Sequence, residues 1–376
     1  MNYQLSENKL RKLRILIAPL DWGLGHATRC IPIIKELLNQ NCEVYLAGDG
    51  AQKTLLETEF PSLPLLLLKG YHIYYSRKKW AMPLHIFFQV PKILSAIRQE
   101  KKWLRFAVNE YKFDVIISDN RYGLHSPKAH SIFITHQLLI KSPVKWIEKI
   151  FQKRNYNYIN QFDECWVPDN KNENNLSGEL SHPSFMPAIP VKYIGWLSRM
   201  KVKAIEPQKN HLLIMLSGPE PQRSILENKI IDQIVTLAIN ATIVRGIPEH
   251  SSIIPSTNSI KFYNHLSTEE LNTEMAKADL IIARSGYTTV MEIVSMKKKS
   301  ILIPTPGQTE QEYLANYLFQ KRIAYCCAQK YFSLKKILEN VSDFSYQFLD
   351  KTESGAELII ENLISSVQKR KITCIM

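Results

Sequence analysis

Short apolar runs alternate with stretches of helical periodicity along the first half of the chain. Five such runs predict strands: 14–20, 42–49, 114–120, 131–137 and 164–169. Helical patterns at 27–40 and 52–60 follow the first two of them. This alternation is typical of βαβ units, so the pattern predicts an α/β fold built on a parallel sheet.

The same pattern restarts after residues 167–210, a stretch rich in Asn, Ser and Pro. Apolar runs and helical patterns alternate again from residue 211, and Ser267 with Glu270 three residues later has the spacing of a helix-capping box. Because 376 residues suit two domains, we predict an N-terminal domain over 1–200 and a C-terminal domain over 201–376. Each opens with a strand, a glycine-containing loop and a helix, and a ligand is expected in the cleft between them.

Polar side chains follow several of the predicted strands. Asp21, Asp119 and His136 each come directly after an apolar run. Ligands of parallel α/β sheets bind beyond the carboxyl ends of the strands, so these residues are candidates for chemistry. They could equally serve only as the turn residues that strand ends require.

The formal net charge of +13 indicates an anionic partner, such as a phosphorylated ligand or a membrane surface. The six cysteines show neither CxxC pairs nor zinc spacing, so we expect free thiols in a reducing compartment. The polar N-terminus resembles no signal peptide, and the apolar run at 63–68 is far too short to span a bilayer. The sequence therefore predicts a cytoplasmic protein, with a peripheral position on the inner face of a membrane as an option.

The segment 280–316 carries the strongest chemical signal. Ser285 and Gly286 lie between a predicted strand and a predicted helix, where backbone N–H groups can bind an anion. Glu292 follows on the second turn of that helix, and a carboxylate there can accept hydrogen bonds from ribose hydroxyls. Gln308, Gln311 and Glu312 lie at the next strand-to-helix loop, where amides and carboxylates suit sugar hydroxyls.

This segment resembles the C-terminal signature of the MurG-like glycosyltransferases of family 28. The resemblance implies a GT-B fold, in which two Rossmann-like domains with parallel sheets face a central cleft. The N-terminal domain would bind the acceptor and the C-terminal domain the nucleotide-sugar, with packing of the last helix back on the N-terminal domain as an option. It implies that Ser285 and Gly286 lie beside the donor phosphates and that Glu292 binds the ribose. Gln311 and Glu312 correspond to positions that hold the donor sugar. The family commonly has two glutamines there, so Glu312 is a departure that leaves the sugar unidentified.

The loop 216–223 occupies the place of the family's glycine-rich loop, which makes Ser217 and Gly218 expected neighbours of the donor. Its two prolines have no N–H to donate to a phosphate. Arg223 is therefore either a phosphate ligand or a surface charge, and Arg245 is a weaker candidate. The segment from Phe262 to Leu266 resembles the one that packs beside the nucleobase.

The loop "DWGLGHATRC" at 21–30 resembles the family's first-domain glycine loop. It lacks the third glycine of the dinucleotide fingerprint, since residue 28 is Thr. The resemblance implies that Gly23 and Gly25 let the backbone approach the diphosphate and that His26 faces the reaction centre. His26 is our first candidate for the catalytic base and Asp119 the second. A histidine that only caps the helix or orders the loop is the alternative.

Most of the net positive charge lies at 69–112, which holds ten Lys or Arg, two Glu and nine aromatic residues. A second basic and aromatic stretch at 141–154 has lysines four residues apart, a spacing that predicts one helical side. These segments form either a solvated basic face or a surface for anionic lipid headgroups. Nucleic-acid binding is disfavoured because no module for it is present.

Together these features predict a glycosyltransferase that moves a hexosyl group, with N-acetylhexosamine as one option, from a UDP-sugar to an unidentified acceptor hydroxyl. The acceptor can be lipid-linked. The resemblance implies inversion at the anomeric carbon, and the want of a convincing D-x-D motif predicts no metal or other cofactor. A nucleotide-sugar 2-epimerase on the same fold and a non-catalytic nucleotide-sugar or lipid-binding protein are the alternatives.

Overall fold

A computed structural model describes residues 11–71, 82–141, 145–247, 254–350 and 355–375. The first sheet has seven strands within these ranges: β1 (Arg14–Pro19), β2 (Glu43–Gly48), β3 (Leu65–Leu67), β4 (Val115–Asp119), β5 (His130–Ile134), β6 (Glu164–Val167) and β7 (Val191–Tyr193). The helices among them are α1 (Gly25–Asn39), α2 (Gly50–Glu59), α3 (Met82–Tyr111) and α4 (Lys145–Ile159).

The second sheet has six strands in the described part of the chain: β8 (His211–Met215), β9 (Asn240–Val244), β10 (Ile260–Tyr263), β11 (Leu280–Ala283), β12 (Lys299–Leu302) and β13 (Tyr325–Cys326). Its helices are α5 (Gln222–Ile234), α6 (Thr268–Lys277), α7 (Tyr287–Ser295), α8 (Thr309–Gln320), α9 (Leu334–Ser342) and α10 (Gly355–Ile375).

The two sheets share one topology over six strands, and the first sheet adds β7 at its edge. The strand orders are β3-β2-β1-β4-β5-β6-β7 and β10-β9-β8-β11-β12-β13, and the strands pair in parallel throughout. The order reverses between β1 and β4 in one sheet and between β8 and β11 in the other, the position at which such sheets bind ligands. The predicted α/β fold class, with two Rossmann-like parallel sheets, is confirmed.

Local sequence explains most of these elements. The strands β1 and β4 are buried almost throughout, as expected for central strands covered by helices on both faces. The predicted capping box at α6 is present, since the Ser267 hydroxyl accepts from the Glu270 N–H and the Glu270 carboxylate accepts from the Ser267 N–H.

Several short elements were not predicted, namely β3, β7, β13 and α9. The three strands have two or three residues each and lie at or near sheet edges, so their sequences are too short to show a period. The helix α1 begins at Gly25, two residues before its predicted start. Lys141 lies ahead of α4 and pairs with Glu179, so it does not share a helical side with the lysines that follow.

The last helix returns to the first sheet. Ile360, Leu363 and Ile364 of α10 are buried in the hydrophobic core that also contains Ile31 and Ile34 of α1. The described strands of the first sheet end at Tyr193 and those of the second begin at His211. The division at residue 200 stays a prediction, because α10 belongs to both packing units.

Candidate active site

The loop between β1 and α1 begins one side of the site. Gly23 has a φ of +74°, a left-handed conformation that glycine adopts without strain. Gln52 of α2 donates to the Gly23 carbonyl at 3.1 Å and holds the turn. The loop brings the start of α1 to the carboxyl edge of the first sheet.

Gly25 is a point of contact between the two packing units. The Thr288 hydroxyl of α7 donates to the Gly25 carbonyl at 2.9 Å, and a Cβ at position 25 would lie 3.2 Å from that hydroxyl oxygen. Neither α1 nor α7 has a side-chain N-cap among the described residues. The N-termini of two helices therefore converge here, and their N–H groups and dipoles favour an anion between them.

Asp119, at the end of β4, lies between His26 and Arg29 of α1. His26 Nδ1 is 2.8 Å from Asp119 Oδ1, while Arg29 donates from Nε to Oδ2 at 2.5 Å and from Nη2 to Oδ1. All of Asp119 and nearly all of Arg29 are buried. Burial alone would raise the pKa of Asp119, but Arg29 and then His26 hold it well below its usual range. The carboxylate is therefore ionised throughout the physiological pH range.

The two groups beside His26 Nδ1 have opposite roles, since Asp119 accepts and Arg29 Nη2, at 3.0 Å, can only donate. When Nδ1 carries a hydrogen it donates to Asp119 and leaves Nε2 as an acceptor. Burial lowers the pKa of His26, with Asp119 opposing this shift and Arg29 adding to it. The ring is accordingly neutral at pH 7 and able to accept a proton.

His136 extends this cluster to the second packing unit. Its Nδ1 is 3.1 Å from Arg29 Nη1, and its Nε2 is 2.7 Å from Glu310 Oε1 on α8. The Tyr287 ring of α7 stacks on the imidazole at 4.2 Å between centroids, and the Tyr287 hydroxyl donates to the Pro168 carbonyl. The sequence identified His136 as a candidate but missed Arg29, Tyr287 and Glu310.

Asp21, the third polar residue expected at these strand ends, has a different environment. Its carboxylate accepts from the Tyr71 N–H at 2.8 Å, and a Cβ at Gly70 would clash with it. Asp21 therefore anchors the chain that follows β3, while the structure brings Asp119 and His136 together through Arg29.

The predicted sugar-binding residues lie at the N-terminus of α8, with Gln308 directly before the helix and Gln311 and Glu312 on its first turn. The Ser285 hydroxyl donates to the Gln311 carbonyl at 2.8 Å, Gln311 Oε1 accepts from the Thr305 N–H at 2.9 Å, and Glu312 Oε1 accepts from the Gly307 N–H at 3.2 Å. Gln308 is the N-cap residue of α8, and Gly286 that of α7. These contacts join the starts of α7 and α8 into one edge of the cleft.

The loop after β8 includes Gly218 at a φ of +98°, next to Ser217. Arg223, predicted to be a phosphate ligand, is buried and donates to Glu220 at 2.6 Å and to Glu227 at 3.0 Å. Arg245 also donates to Glu227, at 2.6 Å. Carboxylates already neutralise both guanidinium groups, and their roles toward a phosphate stay predictions.

Arg284 was not identified from the sequence. It is nearly fully buried at the end of β11 and donates to the carbonyls of Gln222 and Ile303 at 2.7 and 3.2 Å. Its Nε and the Thr305 hydroxyl are buried without a partner in the described chain, and both are close to the Cβ position of Gly218. Burial lowers the pKa of Arg284 to about 10. The sequence offered one signal for Arg284, since it is the first residue of the R-S-G turn that contains Ser285 and Gly286.

Glu292 of α7 is buried and forms an ion pair with Arg199, whose Nε is 2.8 Å from Oε1. Arg199 lies in the connection between the sheets and also donates to the Thr268 hydroxyl at 2.9 Å. The sequence analysis did not single it out. Leu266, before α6, is buried in the core shared with the first unit, and Phe262 packs from β10 against the second unit's core. The ribose and nucleobase roles stay predictions.

In the part of the chain that the structure describes, no group of three or more His, Cys, Asp or Glu could hold a metal ion. Cys30, Cys42, Cys165, Cys326 and Cys327 are free thiols. None of the helices in the described ranges has the length and apolar character needed to cross a bilayer. Residues 72–81 of the basic aromatic segment 69–112 lie outside the described residues.

Comparisons with known proteins agree with this architecture. Residues 256–363 match the family model of the glycosyltransferase family 28 C-terminal domain. The chain is 25% identical over 329 residues to an uncharacterized glycosyltransferase of Methanosarcina acetivorans, a match that covers 80% of this chain and 82% of the relative.

A second relative, from Gloeothece citriformis, is 22% identical over 332 residues, which is 85% of this chain and 83% of the relative. It is named UDP-N-acetylglucosamine--N-acetylmuramyl-(pentapeptide) pyrophosphoryl-undecaprenol N-acetylglucosamine transferase. Among solved structures, MurG of Acinetobacter baumannii matches 96% of this chain and 100% of its own, with a TM-score of 0.52 and 16% identity.

Proposed function

Because this chain is a glycosyltransferase of the GT-B fold that resembles family 28, we propose that it transfers a hexosyl group from a UDP-sugar to an acceptor hydroxyl. The observation that carries the proposal is the pairing of His26 with Asp119 at 2.8 Å, opposite the N-terminus of α7. This geometry sets a proton acceptor against an anion-binding helix terminus, which are the two groups that a single displacement requires.

The donor is a UDP-hexose, and an N-acetylhexosamine is the first choice. The name of the Gloeothece citriformis relative, a UDP-N-acetylglucosamine-dependent transferase, supports it. In this proposal Ser285, Gly286 and the start of α7 hold the diphosphate, with Ser217, Gly218 and Arg223 nearby. Glu292 holds the ribose, Phe262 to Leu266 flank the base, and the polar residues before and in α8 hold the sugar: Gln308, Gln311 and Glu312.

His26 acts as the base. With a hydrogen on Nδ1 donated to Asp119, Nε2 takes the proton of the acceptor hydroxyl while its oxygen attacks the anomeric carbon. The bond from that carbon to the diphosphate oxygen breaks, UDP departs with the electron pair, and the configuration inverts. Asp119 stabilises the imidazolium that forms, as a carboxylate does in other histidine-based sites.

The leaving diphosphate is stabilised without a metal ion. The converging N-termini of α1 and α7 supply N–H groups and positive dipole ends, and Gly25 and Gly23 let the backbone approach. Arg284 adds a positive charge for which no carboxylate partner is seen among the described residues.

The acceptor is lipid-linked, and the protein works at the inner face of a membrane from the cytoplasm. The name of the Gloeothece citriformis relative, which includes pyrophosphoryl-undecaprenol, supports this part. The exposed basic and aromatic side chains of α4 also support it, since such surfaces bind anionic headgroups. No nucleic acid takes part.

The test measures UDP release from a panel of UDP-sugars, with and without a membrane lipid extract as the source of acceptor. We expect one sugar to be hydrolysed slowly alone and transferred faster with the extract. His26→Ala should lower the transfer rate about 100-fold or more, which is a typical contribution of general base catalysis. Glu292→Ala should weaken UDP binding in calorimetry about 10- to 100-fold through lost charged hydrogen bonds.

Glu292→Gln keeps the side-chain volume and replaces Glu292→Ala in the UDP-binding test if the alanine variant does not fold. Glu274→Ala, which removes an ion-paired carboxylate on α6, is the matched control and should leave UDP binding unchanged. Near-normal transfer by His26→Ala contradicts the base role. Conversion of the UDP-sugar to its 2-epimer without an acceptor would replace the proposal by the epimerase alternative.

A further inference from the structure

Glu310 brings a carboxylate from the second packing unit to the histidine cluster of the first. It lies on the first turn of α8, and its Oε1 is 2.7 Å from His136 Nε2. The two residues are 174 positions apart in the chain. Nothing in the predicted roles of α8 accounts for this contact, because those roles concern the sugar.

The hydrogen-bond directions along this cluster follow from chemistry alone. Arg29 is always protonated and can only donate, so His136 Nδ1, at 3.1 Å from Nη1, is an acceptor. His136 Nε2 then carries the hydrogen that is donated to the Glu310 carboxylate, which can only accept. Tyr287 stacks on the ring with an interplanar angle of 6° and holds its plane.

The charges of the cluster explain why a second carboxylate is needed. Arg29 carries one positive charge and is paired with Asp119, which carries one negative charge. With only these two, a proton taken up by His26 would leave a buried excess of one positive charge, which is costly. Glu310 adds one negative charge. With His136 uncharged, the cluster then carries one net negative charge while His26 is neutral and no net charge once His26 is protonated, so Glu310 favours the uptake of the proton.

We infer that Glu310 is the counter-charge of the His26 imidazolium, a positioning residue that acts through His136 and Arg29. The inference rests on the proposed function, in which His26 takes the acceptor proton. Because Glu310 directly precedes Gln311 on α8, the strength of the base depends on the seating of the helix that is expected to hold the sugar.

Few titratable side chains lie around His26 among the described residues, even when every element packed against it is counted. Arg29 and Cys30 share α1 with it, Asp119 lies on β4, His136 follows β5, Tyr287 lies on α7 and Glu310 on α8. Burial would raise the pKa of Glu310, but its interaction with His136, followed by those with His26 and Arg29, lowers it overall. Burial raises the pKa of the Cys30 thiol and that of the Tyr287 phenol, so both stay neutral at pH 7.

The test is a direct titration of His26 in the full-length protein by NMR of labelled histidine, with His26→Gln used to assign its signal. Glu310→Gln keeps the volume and removes the charge, and we expect it to lower the pKa of His26 by about one pH unit, the size expected of a nearby charge. Glu43→Gln is the matched control. It neutralises a half-exposed carboxylate at the opposite, amino end of the sheet and should leave the pKa of His26 unchanged.

Glu310→Asp retains the negative charge, so the pKa of His26 in this variant should lie close to its wild-type value. The acid limb of the pH profile of kcat/KM should move to lower pH in Glu310→Gln, and the plateau should fall, because a less basic nitrogen is a weaker proton acceptor. A role that was only structural would lower the plateau without moving the limb.

An unchanged pKa of His26 in Glu310→Gln overturns the inference, whatever the activity. Glu310 is partly exposed, so the amide variant is expected to fold, and an unchanged thermal midpoint checks this. Failure of the proposed function has a different signature. In that case His26→Ala retains transfer or no UDP-sugar is consumed, while the NMR titration still reports the charge of Glu310.

Discussion

At the scale of single residues, Arg29 is the least expected feature of this protein. A long basic side chain on the second turn of α1 is normally assigned to the surface, yet its guanidinium is buried beside Asp119 and touches two histidines. Such a buried pair is weak evidence for net stability, but breaking it is costly because one charge is left alone. Arg29 keeps the carboxylate ionised and ordered next to His26.

Replacing Arg29 by Met should therefore destabilise the protein by about 3–5 kcal/mol, since Asp119 would be left buried without its cation. Urea unfolding measures the change. The double variant Arg29→Met/Asp119→Leu removes both charges and should recover most of the loss. Lys53→Met is the control, because its ion pair with Glu57 is exposed and should contribute less than about 1 kcal/mol. If Arg29→Met lowers the free energy of unfolding no more than Lys53→Met does, Arg29 and Asp119 are not a buried ionised pair.

At the scale of elements, α4 has two contrasting faces. Asn155 and Ile159 are buried against the first sheet, whereas Trp146, Ile150 and Phe151 are exposed. The exposed positions alternate with the exposed basic residues Lys149, Lys153 and Arg154. An aromatic and basic helix face of this kind is typical of proteins that bind membrane interfaces.

We predict that the protein sediments with vesicles made of equal parts phosphatidylglycerol and phosphatidylcholine at low salt, and that added salt releases it. Trp146→Ser combined with Phe151→Ser should weaken the partition about tenfold, because two large apolar side chains no longer enter the interface. Val235→Ser is the matched control, since Val235 is equally exposed on the second unit. If the wild type stays in the supernatant, α4 is only a solvated face.

At the scale of the whole molecule, four histidines in the two units lie in environments that disfavour their charged form. Burial lowers the pKa of His26, His125, His211 and His265 relative to the ordinary value. In the unfolded chain these groups titrate near pH 6.5. As the pH falls below that value the unfolded state binds more protons than the folded state, so acid favours unfolding.

The free energy of unfolding should thus be largest above about pH 6.5 and should fall between pH 7 and pH 5, by at most about 1.4 kcal/mol per pH unit for each histidine. Urea midpoints at pH 7, 6 and 5 measure it. His211→Gln should have a shallower dependence than the wild type. Stability that is constant or rises over this interval would show that these rings keep their ordinary pKa.

Much of the strand and helix pattern, the parallel sheets and the capped start of α6 could be predicted from the sequence. Each depends on residues that are neighbours in the chain: an apolar run, a period of 3.6 residues or a serine three positions before a glutamate. The resemblance of 280–316 to family 28 is likewise carried by one continuous segment. The comparisons confirmed the fold and the glycosyltransferase class.

The tertiary structure alone decided which side chains meet. His26 and Asp119 are 93 positions apart, Arg199 and Glu292 also 93, and His136 and Glu310 174. Such pairs depend on the order of strands in a sheet and on how two packing units dock, and no local pattern encodes either. The sequence by itself determined that a histidine follows the glycine loop of β1. The packing of α1 against the first sheet provided it with the carboxylate of Asp119 and the guanidinium of Arg29, and only the packing of the second unit against the first provided the counter-charge of Glu310.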